Sequence, residues 1–369
     1  SEVDERTLRE LYLKPFQIAV QAKPWTVMTS YNLVNGVRMS ANKDLNAVLR
    51  NEFGFDGVIV SDWEAVQDPL DTLHSDLDLE FPHNARHAQQ MQAHLGAGEV
   101  DLEALDRCSG RIIALGEKSK TAKGLRKVQY SIEERIAVSQ EVEEEGIVLL
   151  KNNGILPLQN QSVYVTGLPS QTLYHGGGSS AVIPNRPFVT LDAALREQGY
   201  DAYYSESIGK IYGANVSMGN IRQACLNSQG SDLTIFTVGT GAGAEVEETD
   251  RRDITLTPEE LAALQYLRKY AKKLVVVVYA GSAVDLREFD ALADAVVLAG
   301  FGGQNVSQAV ANVLTGKVNP SGKLSETWMR SCKDIPYGKE FARRKIVPYQ
   351  EGLYVGYRYY DLCPERIRF

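Results

Sequence analysis

Three groups of residues have types and spacing that can do chemistry. Asp62 follows the apolar run Val58-Ile59-Val60 through Ser61 and precedes Trp63. A short run of this kind reads as a strand buried on both faces, as in parallel sheets, and ligands bind at the carboxyl ends of such strands. A carboxylate there, beside a large aromatic ring, can act as a nucleophile or base in a cleft. The same position also suits an Asp that caps the following helix, and spacing alone leaves both readings open. The second group is Glu245-Val246-Glu247-Glu248-Thr249-Asp250-Arg251-Arg252. Such a charge mixture usually makes a solvated loop, yet a carboxylic acid on a loop over a cleft is also how a general acid is delivered. The third is His175-Gly176-Gly177-Gly178-Ser179-Ser180. Glycines let a backbone approach a ligand closely, and they equally make a turn.

Competing motifs carry less. Gly239-Thr240-Gly241-Ala242-Gly243-Ala244 fits a dinucleotide fingerprint after a strand. The residues that would open its helix are acidic, however, and would repel a pyrophosphate. His175-Gly176-Gly177-Gly178 has the form of a lipase oxyanion loop, but the chain contains no GxSxG elbow. His83 and His87 are four apart, with His94 further on, and no HExxH accompanies them, so a surface pair is expected and no metal site. The four cysteines, Cys108, Cys225, Cys332 and Cys363, form no CxxC pair, which argues against a disulfide framework or structural zinc. That usage fits a reducing compartment. The expected location is the cytoplasm, with secretion the alternative for a mature or excised chain that would show no leader.

The elements that must position these groups alternate between helix and strand. Leu8, Leu11, Tyr12, Phe16, Ala19 and Val20 repeat at helical spacing with Asp4 available as cap, and Lys23-Pro24 ends that helix. Trp25–Ser30 and Val58–Val60 read as strands, with a helix carrying Leu45, Val48 and Leu49 between them. Residues 116–133 are rich in lysine and arginine and poor in apolar residues, and read as a linker. Beyond it, strands are expected at Val163–Thr166, Leu233–Val238, Leu274–Tyr279 and Ala295–Leu298. Thr257, Pro258 and Glu260 spell a helix start with a capping box, followed by the stripe Leu261, Leu264, Leu267. Asn305–Leu314 is a further helix, stopped by Gly316. The whole is α/β. The first part has two or three β/α units, too few to close an eight-stranded barrel, which needs roughly 200 residues.

Composition excludes two classes of partner. The chain has 369 residues, 44% of them hydrophobic, and a formal charge of −8. An acidic balance is the opposite of a phosphate-neutralising surface, so nucleic acid is not expected. The longest apolar run, Leu274 to Ala280, is strand length and no membrane span.

The segments VDERTLRELYLKPF, VMTSYNLVNG, LRNEFGFDGVIVSDWEAV, DLDLEFP, EEGIVLLKNNGILPL, GGGSS, EVEETDR, NPSGKLSETW and YQEGLYVGYRYYD run through most of the chain. Together they resemble glycoside hydrolase family 3, the β-glucosidase, β-xylosidase and β-N-acetylglucosaminidase group. The resemblance implies a (β/α)8-type barrel followed by an α/β sandwich, of which this chain carries the C-terminal part of the barrel and the sandwich. The implied division is 1–115 for barrel strands six to eight, 116–133 for the linker, 134–345 for the sandwich, and 346–369 for a tail leading toward a third domain. Strand six would hold Val27-Met28, strand seven Val58–Val60 and strand eight Leu77–Leu79.

The same resemblance implies roles residue by residue. Asp62 matches the nucleophile, and Glu247, four before Arg251, matches the acid/base. Met28, Tyr31, Trp63 and Ser179 match residues that line the sugar pocket. The implied activity is that of a retaining, exo-acting β-glycosidase, a β-glucosidase first, with a carboxyl pair about 5–5.5 Å apart and no metal or organic cofactor. A β-xylosidase or another activity of the family is the alternative, and a non-catalytic carbohydrate-binding fragment is the reading from another class. The substrate would be a β-linked oligosaccharide or an aryl or alkyl β-glycoside. A second chain or copy is expected to supply the first five strands, which in the family bring an Asp, an Arg and a Lys-His pair to the sugar. Two positions depart from the pattern: Glu248 and Asp76 stand where relatives usually carry Gly.

Overall fold

The computed structural model describes residues 1–122, 129–178, 188–205, 218–247, 249–251, 253–338 and 345–369. The chain forms two compact units, Ser1–Val128 with Glu340–Val355, and Gln129–Lys339 with Gly356–Phe369. The segment expected as a tail is therefore divided between them. Backbone pairing is the reason. Glu2 donates to Val347 O at 2.9 Å and Tyr349 donates to Glu2 O at 2.8 Å, which ties 347–349 to the start of the chain. Arg368 donates to Trp328 O at 2.7 Å and Trp328 donates to Phe369 O at 3.0 Å, which ties the last residues to the second unit.

In the first unit, helix α1 (Lys14–Val20) leads into strand β1 (Thr26–Met28), and α2 (Lys43–Ala47) with the wider turn Val48–Glu52 leads into β2 (Val58–Trp63). Then come α3 (Pro69–His74), β3 (Leu79–Phe81), α4 (Ala85–Ala97) and α5 (Leu102–Ala122). The three strands form a parallel sheet in the order β1-β2-β3, with Val27 opposite Ile59 and Val60 opposite Leu79. Ile59, Val20, Leu49, Phe55 and Leu77 are buried together, with Val27 and Phe53 packed against them, so one face of the sheet is fixed by helix residues.

Two expectations for this unit change. The third strand begins at Leu79 and not Leu77, because Asp76 lies in the turn that ends α3 and the chain pairs with β2 only from Asp78 on. Asp76 has φ 66°, and its carboxylate meets Arg50 Nε at 3.1 Å and Arg111 Nη1 at 2.9 Å. The Asp78 carboxylate is wholly buried; it accepts from Ile59 N at 2.7 Å, Arg50 Nη2 at 2.5 Å and Arg111 Nη1 at 2.8 Å. That accounts for Asp76 at a position suited to Gly: Asp tolerates the left-handed region better than most residues, and it gains two guanidinium partners. The stretch read as a linker is helical as far as Ala122, and the following helix starts at Ile132 with Ser131 as cap. Lysine, arginine and glutamate are good helix formers, so a charged end of an exposed helix needs no apolar stripe.

The second unit is a six-stranded sheet. Helix α6 (Ile132–Gly146) precedes β4 (Val148–Asn152) and β5 (Ser162–Thr166); α7 (Leu191–Glu197), β6 (Asp201–Tyr204), α8 (Met218–Gly230) and β7 (Leu233–Gly239) follow. Next are α9 (Pro258–Tyr270), β8 (Leu274–Tyr279), α10 (Arg287–Leu292), β9 (Ala295–Leu298) and α11 (Val306–Thr315). The order is β4-β9-β8-β7-β5-β6, parallel except for β4 on the edge. Val275, Val277 and Tyr279 point into one core with Leu195 and Val310, while Leu274, Val276 and Val278 point into another with Leu264 and Leu267. Helices thus cover both faces, which explains why β8 reads as continuous apolar sequence. The strand order reverses between β5 and β7, the usual place for a ligand crevice at the carboxyl ends of such sheets. The capping box of α9 is present, with Glu260 N on Thr257 Oγ1 at 3.2 Å and Thr257 N on Glu260 Oε2 at 2.9 Å. No helix among the described residues is long and apolar enough to cross a membrane.

Candidate active site

In the first unit the candidate residues gather at the carboxyl end of the sheet. Asp62 lies near the end of the central strand and is half-buried. Its Oδ1 accepts from Trp63 N at 2.7 Å. The helix-cap role that competed for Asp62 belongs to Asp68, which accepts from Leu70 N at 2.8 Å and Asp71 N at 3.2 Å. The carboxylate is therefore not spent on a helix end. Ser61 stitches this corner together: its hydroxyl donates to Asp62 O at 2.8 Å and accepts from Phe81 N at 2.9 Å.

Large side chains stand exposed around it. Met28 ends β1, Tyr31 follows three residues later, Trp63 ends β2 and Phe81 ends β3, with exposures of 58%, 53%, 61% and 44%. Large apolar groups left uncovered at one end of a sheet mark a surface meant for contact. Met28, Tyr31 and Trp63 were expected there; Phe81 was not singled out by sequence, although Glu80-Phe81 ends the DLDLEFP motif and offered the signal.

In the second unit the acidic segment is tied to the glycine run. Gly177 N donates to Glu245 O at 2.6 Å and Glu247 N donates to Gly177 O at 3.2 Å, a short parallel bridge between Gly177 and Val246. Gly178 has φ 102°, and a Cβ on it would lie 2.6 Å from Glu247 Cβ. Gly178 is thus required by close packing against the acidic segment, a role distinct from either a plain turn or direct ligand contact. Ser179 and Glu248 lie outside the described residues.

The neighbouring acids differ in their surroundings. Glu245 is half-buried, and its Oε1 accepts from Thr240 Oγ1 at 2.6 Å and from Gly281 N at 3.1 Å. Arg251 Nη1 lies 3.6 Å from the same oxygen. Glu247 is exposed and is the acid of the pair that faces outward. A cavity of about 460 Å³ lies behind the segment, lined by Val246, Thr249, Asp250, Arg251 and Glu260 among others. Burial raises the Glu260 carboxyl above its ordinary range, against the pull of hydrogen bonds from Thr257 and Gly239.

Cys108, His87 and His94 have burial or local partners of their own. Burial, with Asp78 alongside, pushes the Cys108 thiol up to about 12, which leaves it protonated and inert. His87 Nδ1 is 2.6 Å from Glu80 Oε1, and His94 Nδ1 is 2.6 Å from Glu99 Oε2. Among the described residues no group of three or more His, Cys, Asp or Glu is placed to hold a metal ion. In the segment that matched the dinucleotide fingerprint, Gly241–Ala244 forms a single helical turn, and a Cβ on Gly239 would lie 2.2 Å from Tyr279 O. Gly239 is explained by strand packing.

Comparison with known proteins covers both units. The model of the glycosyl hydrolase family 3 N terminal domain matches residues 1–115, and that of the glycosyl hydrolase family 3 C-terminal domain matches residues 147–357. Thermostable beta-glucosidase B of Acetivibrio thermocellus is 34% identical over 97% of this chain and 48% of its own length. An exo-alpha-(1->6)-L-arabinopyranosidase of Bifidobacterium longum is 31% identical over 98% of the chain and 49% of its own. Among solved structures, a GH3 beta-glucosidase of Bifidobacterium adolescentis superposes with a TM-score of 0.92 at 30% identity, over 100% of this chain and 55% of that one. Beta-glucosidase 3B of Thermotoga neapolitana, in complex with glycerol, gives 0.89 at 29% identity, over 100% and 57%. The chain spans about half the length of these relatives.

Proposed function

The chain belongs to glycoside hydrolase family 3, and on that footing we propose that it carries the two catalytic carboxyl groups of a retaining β-glycosidase, a β-glucosidase first. Asp62 attacks the anomeric carbon as the bond to the leaving oxygen breaks, and Glu247 gives that oxygen its proton. Water then attacks the glycosyl ester, Glu247 takes the proton from it, and Asp62 is released as carboxylate. Met28, Tyr31 and Trp63 line the sugar site, and Ser179 is assigned to it by the family resemblance alone.

The observation that carries this reading is the state of the two carboxylates. Asp62 sits at the open end of a central parallel strand with its capping role taken by Asp68. Glu247 is exposed, while Glu245 two residues away is tied into the fold. The arabinopyranosidase relative supports a pentopyranoside as the second reading, alongside a β-xyloside.

The unpaired edges of β1 and β3, among the described residues, suit further β/α units, which we place with a segment carrying the first barrel strands, on this or another polypeptide. The test uses the chain together with such a segment. A 2-fluoro glycoside that traps the covalent intermediate should label Asp62, and Asp62→Ala should lose turnover while azide yields a glycosyl azide of inverted configuration. Rates on aryl β-glucoside, β-xyloside and α-L-arabinopyranoside rank the substrates. Label on a different carboxylate overturns the assignment; sugar binding without turnover favours a binding fragment.

A further inference from the structure

We propose that Glu245 and Arg251 are positioning residues that fasten the two ends of the acid-bearing segment to one turn, and so hold Glu247 in register with the leaving oxygen. The proposal rests on Glu247 as acid/base.

Both anchors reach the turn that follows β8. Glu245 Oε1 accepts from Gly281 N at 3.1 Å, and Ser282 Oγ lies 3.5 Å from its Oε2. Arg251 Nη1 donates to Ser282 Oγ at 2.7 Å and to Ala283 O at 3.1 Å. Arg251 and Glu245 also face each other at 3.6 Å, with side-chain exposures of only 17% and 15%. The turn is itself held, since Ala283 N donates to Glu326 Oε1 at 3.1 Å. A Cβ on Gly281 would lie 2.7 Å from Glu245 Oε2, so the close approach requires glycine there. Between the anchors stands Glu247, its amide on Gly177 O.

A segment fastened at both ends has few positions open to it. Freezing a proton donor in place is a large part of what a catalytic site supplies, and a displacement of about 1 Å can cost about 10²-fold. The charge on Arg251 is what closes the far end. Glu245, although acidic and adjacent, is taken up by Thr240, Gly281 and Arg251 and is not the proton donor.

The test measures kcat and KM across aryl β-glucosides from dinitrophenyl to phenyl, and on a disaccharide. Glu245→Ala, Glu245→Gln, Arg251→Ala, Arg251→Lys and the Glu245→Ala/Arg251→Ala double are run beside Glu247→Ala, each with the full set of barrel units. The expected result is a loss of about 10²-fold in kcat/KM on poor leaving groups, little loss of kcat/KM on the dinitrophenyl glycoside, and on that substrate a lowered kcat and KM that azide reverses. The conservative variants should recover part of the rate, and the double should be no worse than the poorer single, as coupled residues behave. Equal losses of kcat/KM on every leaving group, or additive losses in the double, overturn the proposal. If Glu247→Ala shows the leaving-group signature and the anchor variants do not, positioning fails while the acid/base assignment stands. If Glu247→Ala lacks it, the assignment itself fails. Should the alanine variants not fold, Glu245→Gln and Arg251→Lys decide the matter by the same split.

Discussion

Glu247 and Glu245 are two residues apart and chemically identical, yet their surroundings differ. Glu245 accepts hydrogen bonds from Thr240 and Gly281, and Glu247 is exposed above Gly178. A general acid matters most when the leaving group is poor. Glu247→Ala should therefore lose most activity on disaccharides, keep a fast first step on activated aryl glycosides, and regain the second step with azide; steady-state and burst kinetics check this. Glu143 is a residue of another kind. It is buried on α6, its Oε1 has no hydrogen-bond partner among the described residues, and its carboxyl carbon lies where a Cβ of Gly302 would be. Burial raises its pKa to about 7. The unfolded carboxyl titrates near 4.5, so the native state holds the extra proton between the two values. Stability is full below the lower value and falls as pH rises through the upper one, by roughly 3 kcal/mol at most. Glu143→Gln should flatten that decline in melting temperature between about pH 5 and 8; a decline of unchanged slope would rule Glu143 out as its source.

At the scale of elements, the strand that bears Asp62 is held by charges as well as by apolar packing. Arg50, with a side-chain exposure of 8%, spans Asp76, Asp78 and the carbonyl of Gly57, and its guanidinium lies 5.2 Å from the centre of the Phe55 ring. Asp78 meanwhile accepts the N–H of Ile59 in the middle of β2. Removing one member of a buried ionic network leaves the others uncompensated. Arg50→Ala should cost about 3 kcal/mol in denaturant unfolding, more than loss of the exposed Arg6–Glu10 pair, for which less than about 1 kcal/mol is expected. Equal costs would show that the network adds nothing beyond a surface pair. In the second unit, the glycine run, the acidic segment and the turn after β8 form one interlocked corner. Sequence separates these parts by tens of residues, and only strand order brings them together.

At the scale of the whole chain, the two units differ in completeness. The second has a six-stranded sheet with helices on both faces, and β8 is fully buried from end to end. The first has three parallel strands, whose outer members β1 and β3 each have one ladder edge unpaired among the described residues. Parallel strands are stable when covered and paired. The chain as a 40.8 kDa monomer should therefore show little hydrolysis of aryl β-glucosides, and turnover should appear when the remaining β/α units are joined or bound to it. Light scattering together with an activity assay checks this. Full turnover by a monodisperse monomer would overturn it.

Much of the architecture is a local matter and was legible in the sequence. The apolar runs at Ile59, Ile235 and Val276 make strands wherever they are placed, and Thr257 with Glu260 caps α9 through contacts three residues apart. A carboxylate at a strand end, Asp62, and an acid-rich stretch around Glu247 are visible as patterns, while the roles proposed for the two rest on the family resemblance. Edge strand β6 was not legible, because Asp201–Tyr204 lacks a continuous apolar run; β4 was not singled out either, although Ile147-Val148-Leu149-Leu150 is such a run. Nor did any pattern say that Glu245 is tied to Gly281, that Asp76 meets Arg50 and Arg111, or that Glu143 is buried with its Oε1 unpartnered among the described residues. Those facts depend on contacts between residues far apart in sequence, and a side chain's charge, exposure and partners are decided there, by what the fold sets beside it.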